Sequence, residues 1–167
     1  MNAVHNAQVK RIFLTVTESN AGNWRRCAKL TKGDRMNKVV ARFTDGSMIK
    51  GTTTDFAPGK DIFHVTAAHA PAGEKPVQVF TKDLKALFFV KDFEGDPQHV
   101  TRNEFDPSRP PPGRKIKVVF KDGEVLAGTT TGYQPGRPGF FVVPVDVDSN
   151  NERCYIITAF TQEISFI

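Results

Sequence analysis

Any chemistry in this chain would have to come from four histidines, two cysteines and one loop dense in oxygen-bearing side chains. His5, His64, His69 and His99 lie in four separate segments, and their spacing does not suggest metal ligation. His64 falls where Phe141 stands in a second copy of the same pattern, so it reads as the filler of an aromatic position rather than as a base. Cys27 and Cys154 are too few and too unlike in context for a disulfide framework or a metal site. Cys154 aligns with Val77 and reads as a small buried hydrophobe. The run Asp146-Val147-Asp148-Ser149-Asn150-Asn151-Glu152 alternates oxygen ligands as a calcium loop would. It lacks the central glycine and distal glutamate of that motif and reads as a polar hairpin tip. No catalytic group, metal or cofactor is expected, and the chain is not read as an enzyme.

Recognition is the more promising chemistry. Phe56, Phe63 and Lys60 match Tyr133, Phe140 and Arg137, which gives each copy two rings and a cation around a Pro-Gly turn. Such rings can stack nucleic-acid bases, receive an apolar anchor from a protein, or fill the core. Phe63 and Phe140 read as core. Phe56, Lys60, Tyr133 and Arg137 are the candidate partner-binding residues.

These residues sit in a duplication. Residues 38–90 align without gaps on 115–167 at an offset of 77, and the shared residues are those that shape a backbone. Phe43, Asp45, Gly46, Gly51, Pro58 and Gly59 meet Phe120, Asp122, Gly123, Gly128, Pro135 and Gly136. Val39, Ala41 and Phe43 alternate as a strand with one face in a core. Asp45-Gly46 predicts a two-residue hairpin turn, Gly51 a bend in a long second strand, and Pro58-Gly59 another turn. Further strands are predicted near 61–66, 76–80 and 86–90, with a helical turn at 81–85 capped by Thr81. The expected fold is all-β: two tandem, small, five-stranded SH3-like or Sm-like barrels.

The last strands of the two repeats differ. Phe88 and Val90 make the fifth strand of the first repeat apolar on both faces, whereas Ser165 and Ile167 occupy the matching places. A strand buried on both faces needs another layer, so Phe88 and Val90 are the candidate interface between repeats or in a homo-oligomer.

The chain thus divides into a basic tail (1–37), repeat 1 (38–90), a Pro-rich linker (91–114) and repeat 2 (115–167). Arg109-Pro110-Pro111-Pro112-Gly113 predicts a stiff, extended spacer. The net charge of +5 resides in the tail, and the rest of the chain is balanced. Arg25, Arg26, Lys29, Lys32 and Arg35 are therefore the candidate phosphate contacts of a nucleic-acid reading. The tail is expected to be poorly structured, or else to result from a misassigned start with Met36 as the true one. Apolar runs are too short for a membrane helix or a secretory core, which points to the cytoplasm.

The stretch Val118 to Gly128, with Gly139-Phe140-Phe141-Val142-Val143-Pro144-Val145-Asp146, resembles a bacterial family of short β-rich units, sometimes repeated and sometimes accompanied by PilZ domains. The resemblance implies no activity. The wider likeness is to Sm-like barrels, but Asp55-Phe56-Ala57-Pro58-Gly59 and Lys82-Asp83-Leu84-Lys85 depart from the RNA-binding pattern of that group. Asp45-Gly46-Ser47-Met48-Ile49-Lys50-Gly51 only weakly echoes the PilZ cyclic dinucleotide motif. The expected function is a non-enzymatic module presenting loops or a strand edge to a protein partner. Nucleic-acid binding is the alternative, and PilZ-like cyclic dinucleotide sensing the second alternative.

Overall fold

The computed structural model of the protein describes residues 36–108 and 110–167. Residues 1–35 of the basic tail, with Arg25, Arg26, Lys29, Lys32 and Arg35, lie outside them. The described residues are all-β, with strands β1 (Asn37–Phe43), β2 (Met48–Thr53), β3 (Ile62–Ala67), β4 (Val77–Phe80) and β5 (Leu84–Val90) in repeat 1. Repeat 2 supplies β6 (Arg114–Phe120), β7 (Val125–Thr130), β8 (Gly139–Pro144), β9 (Asn151–Ile157) and β10 (Thr161–Phe166). All pairings are antiparallel.

The ten strands make one sheet in the order β10-β6-β7-β8-β9-β5-β1-β2-β3-β4. Among the described residues it is not closed, because no ladder joins β4 to β10. Each repeat contributes five neighbouring strands in the same internal order, and the repeats meet where β5 pairs with β9. The linker is therefore not a spacer holding two bodies apart, since the bodies on either side of it share a ladder.

Local chemistry explains the strand ends. The hairpin at Asp45-Gly46 is one residue longer than predicted: Gly46 donates to the Phe43 carbonyl at 3.1 Å and Phe43 donates to Ser47 at 2.9 Å. Gly46 has φ +86, so the loop is a turn closed by a left-handed glycine bulge, which keeps the twist of the flanking strands. Phe120, Gly123 and Glu124 repeat the arrangement. Within β2 and β7, Gly51 and Gly128 have no room for a side chain. A Cβ would lie 2.2 Å from the Thr66 carbonyl oxygen and 2.3 Å from that of Val143, respectively. The predicted helical turn is a 3-10 turn at Thr81–Asp83, which Thr81 does not cap. Its hydroxyl donates instead to the Lys60 carbonyl at 2.6 Å.

Two cores result, and each borrows from the other repeat. Val39, Phe63, Leu84, Leu87 and Phe89 of repeat 1 pack with Tyr155 and Ile157 of β9. Ile116, Phe120, Phe140, Cys154 and Ile156 of repeat 2 pack with Ala86, Phe88 and Val90 of β5. Successive residues of β5 and β9 thus fill opposite cores, and every residue of β5 is buried. Each fully buried large side chain contributes about 1.5–3 kcal/mol of hydrophobic stabilisation. The shared pair of strands makes much of that gain common to both repeats.

Candidate functional site

The two ends of the sheet are unequal. β4 is four residues long and follows Pro76, which is a blunted edge. β10 is longer and has no proline. Ile167 donates to the Lys115 carbonyl, so by antiparallel alternation Ser165 and Glu163 also bond toward β6. The backbone N–H and C=O of Ile164 and Phe166 therefore point away from β6, to a side that no described strand covers.

Beside that edge is an aromatic group. Tyr133 stands edge-on to Phe140 (centroids 4.9 Å apart) and to Phe166 (5.4 Å). The Arg114 guanidinium lies 3.7 Å from the Phe166 ring centre. Phe166 is 40% exposed and Ile167 68%, whereas their counterparts Phe89 and Val90 are buried.

The same group in repeat 1 is covered. Phe56 stands 5.0 Å from Phe63, 5.8 Å from Phe89, 6.4 Å from Phe141 and 5.1 Å from Tyr155. Phe141 and Tyr155 come from repeat 2. The Tyr155 hydroxyl accepts the Gly59 N–H at 3.3 Å, and Arg153 stacks on Phe89 at 4.4 Å. β9 is thus the strand that occupies, in repeat 1, the place left open beside β10.

The predicted partner-binding residues separate accordingly. Phe56 belongs to the contact between repeats and is partly buried there. Lys60 is engaged by the Asp55 carboxylate at 2.9 Å, which also accepts from the His64 backbone N–H and meets His64 Nδ1 at 3.0 Å. Burial raises the Asp55 carboxyl, but His64 and Lys60 outweigh it and hold it far below the usual range. Tyr133 faces the open edge and Arg137 is exposed on its turn. No ring contact joins Phe56 to Tyr133. Phe88 lies opposite Cys154 and Val90 opposite Asn151, both within the junction.

Sequence reasoning missed the polar half of that junction. Lys85 is 4% exposed, and its Nζ lies 2.5 Å from both the Asp122 and the Glu124 carboxylates. Glu124 also pairs with Arg42 at 3.1 Å, and Lys85 stands over the Phe120 ring. The hydrogen bond from Lys85 holds Asp122 below its ordinary pKa against partial desolvation. A recess of about 310 Å³ lies here, between the Asp45-Gly46 and Asp122 turns. Its lining sets two cations, Arg42 and Lys85, against three carboxylates, Asp45, Asp122 and Glu124, so it offers no positive charge to an anion. Gln162 replaces Lys85 in repeat 2, which is the signal an alignment could have offered.

The loop after β8 is not a free polar tip. Asp146 is buried, meets His99 at 2.7 Å and accepts the N–H groups of Arg102 and Asp148. Burial pushes its carboxyl up, and these partners together hold it below the ordinary value. Asn150 exchanges hydrogen bonds with the backbone of Asp92. The loop therefore clasps the start and the middle of the linker. Among the described residues no cluster of three or more His, Cys, Asp or Glu could hold a metal. Cys154 is a buried thiol whose pKa is raised, mainly by desolvation. No helix among the described residues is long and apolar enough to cross a membrane.

Comparison with known families decides what this duplicated sheet belongs to. A family model matches residues 35–167, the whole ten-strand unit. The chain belongs to DUF6982, a family of unknown function. No match was found among curated proteins or among solved structures.

Proposed function

We propose that this DUF6982 member is a non-enzymatic interaction module that presents the β10 edge to an extended segment of a protein partner. The observation that carries the reading is the outward backbone of Ile164 and Phe166 beside the half-open Tyr133 and Phe166 rings. An added strand gains affinity from main-chain hydrogen bonds and selectivity from alternate side-chain pockets. Each repeat is, on this reading, an Sm-like or SH3-like unit. The glycine pressed against the third strand in each second strand and the 3-10 turn before the fifth support that likeness. A cytoplasmic setting belongs to the same proposal and fits a free buried thiol.

The test is selection of peptides from an unbiased display library on the full chain, followed by binding to the Ile164→Pro variant. Proline is tolerated on an edge strand where its missing N–H faces outward. Selected peptides should bind the parent and not the variant. Failure to select any peptide, or binding indifferent to the proline, would remove the reading.

A further inference from the structure

The internal junction specifies what should lie on the open edge. Opposite Leu87, Ala86 and Phe89 of β5 stand Tyr155, Ile156 and Arg153 of β9. Shifted by the repeat offset, those three places on β10 are Ile164, Glu163 and Phe166. An antiparallel strand docked in the same register would present one residue to each.

The place opposite Ile164 is an aromatic one. At the internal junction Tyr155 lies edge-on to Phe56 and its hydroxyl takes the Gly59 N–H. Tyr133 and Gly136 are the counterparts of Phe56 and Gly59, and Gly136 has the same left-handed conformation, φ +83 against +81. A tyrosine is therefore the side chain that both the ring and the donor would accept.

The flanking places differ in charge from their counterparts at the junction. Glu163 stands where Ala86 does, and it is exposed on the face away from Ile164. A cation opposite it would form a cross-strand pair. Phe166 already carries the Arg114 guanidinium, so the counterpart of Arg153 would meet a like charge, and an acid is favoured there. From N to C terminus the complementary strand reads acid, small residue, tyrosine, cation.

We infer that the β10 edge recognises an extended antiparallel segment of a partner protein carrying tyrosine opposite Ile164, Lys or Arg opposite Glu163 and an acid opposite Phe166. This rests on the strand-edge reading above and names the partner's chemistry. A second copy of this chain fits poorly in that register. Its free strand β4 would place Gln78 opposite Ile164, Val79 opposite Glu163 and Pro76 opposite Phe166. The duplication thus builds one strong junction and leaves at β10 an edge altered for a different occupant.

The experiment titrates the full chain with a labelled ten-residue peptide containing Glu-Ser-Tyr-Lys in a strand-forming context, with amide exchange followed at Ile164 and Phe166. Both amides should become protected. Tyr→Ala in the peptide should weaken binding about tenfold through loss of ring packing. Tyr→Phe should weaken it about fivefold through loss of one hydrogen bond. Lys→Glu should weaken it about threefold, and Glu163→Lys in the protein should reverse that preference. Protection of both amides without dependence on tyrosine or charge would overturn the inferred chemistry and leave the strand-edge reading standing. No binding by this peptide would overturn the inference too, whereas the strand-edge reading falls only if the unbiased library also fails. Self-association abolished by Ile164→Pro would assign the edge to a second copy and overturn the inference.

Discussion

Tyr155 stands opposite Leu87 in the ladder between the repeats, and its hydroxyl accepts the N–H of Gly59 on a turn of the other repeat. One side chain of repeat 2 therefore completes both the core and a loop of repeat 1. Tyr155→Phe should cost about 0.5–1 kcal/mol, the net worth of one hydrogen bond whose freed donor can reach water. Tyr155→Ala should cost about 3–5 kcal/mol, because the ring is fully buried and leaves a cavity. Urea denaturation measures both. A single transition is expected, because the repeats share core residues across β5 and β9. Two separated transitions in the parent protein would show that the junction does not couple them.

Lys85 makes a prediction about order rather than size. Its carbon stem is buried, while its partners Asp122 and Glu124 remain nearly half exposed. Lys85→Met removes the buried charge and leaves the carboxylates to water. The double variant Asp122→Asn with Glu124→Gln leaves the ammonium buried without its counter-charges. The double variant should be the less stable of the two, by about 1–3 kcal/mol, below the fully buried range because its surroundings are partly wet. Thermal melts compare them, and the reverse order would mean that the Lys85 ammonium is satisfied without the two carboxylates.

The duplication made the strands legible. Alternation at Val39, Ala41 and Phe43, the Asp-Gly and Pro-Gly turns and the mid-strand glycines are local signals, and they lie where they were expected. The pairing of β5 with β9 is not local. It depends on which edges of two similar units meet, and alternation is silent about that. The apolar Phe88 hinted that β5 has a second layer, but its partner strand, with Cys154 and Tyr155, could not be read from it. Tyr133 is legible as a ring beside a turn, whereas the exposure of Phe166 depends on which strand lies beside β10, and alternation is silent about that too. Asp146 was opaque for a related reason. Its partners His99 and Arg102 belong to a linker with no periodicity.

The mid-strand glycines allow a direct test of sterics. A Cβ on Gly128 would lie 2.3 Å from the Val143 carbonyl oxygen and 2.4 Å from a Val142 methyl. The obstacle is backbone, so it cannot swing aside as a side chain would. Gly128→Ala should destabilise by about 3 kcal/mol or more, at the upper end of overpacking costs. Gly123→Ala meets no atom within 4 Å and suffers only from its positive φ. It should cost about 1–2 kcal/mol, the penalty for holding a non-glycine residue in the left-handed region. Equal costs at the two positions would show that β7 and β8 can separate to admit the methyl group.

Acid should release the linker before it breaks the strands. Asp146 is held below its ordinary pKa in the folded protein by Arg102, His99 and Asp148, despite the opposing effect of burial. A carboxyl with a depressed folded pKa contributes stability that is fully present above its unfolded value, about 3.9, and is lost as pH falls through the folded one. The parent protein should therefore keep this contribution at neutral pH and lose it progressively below about pH 4. Asp146→Asn should cost about 1–3 kcal/mol at pH 7, since it removes a charged acceptor from N–H groups that are partly buried. It should also flatten the acid limb of the stability curve, because nothing remains at that position to titrate. Amide exchange at Arg102 reports the local event. It should accelerate in the variant at pH 7, while the strand amides of β6 and β7 change little. Equal acceleration in the strands would mean that the linker and repeat 2 open as one unit.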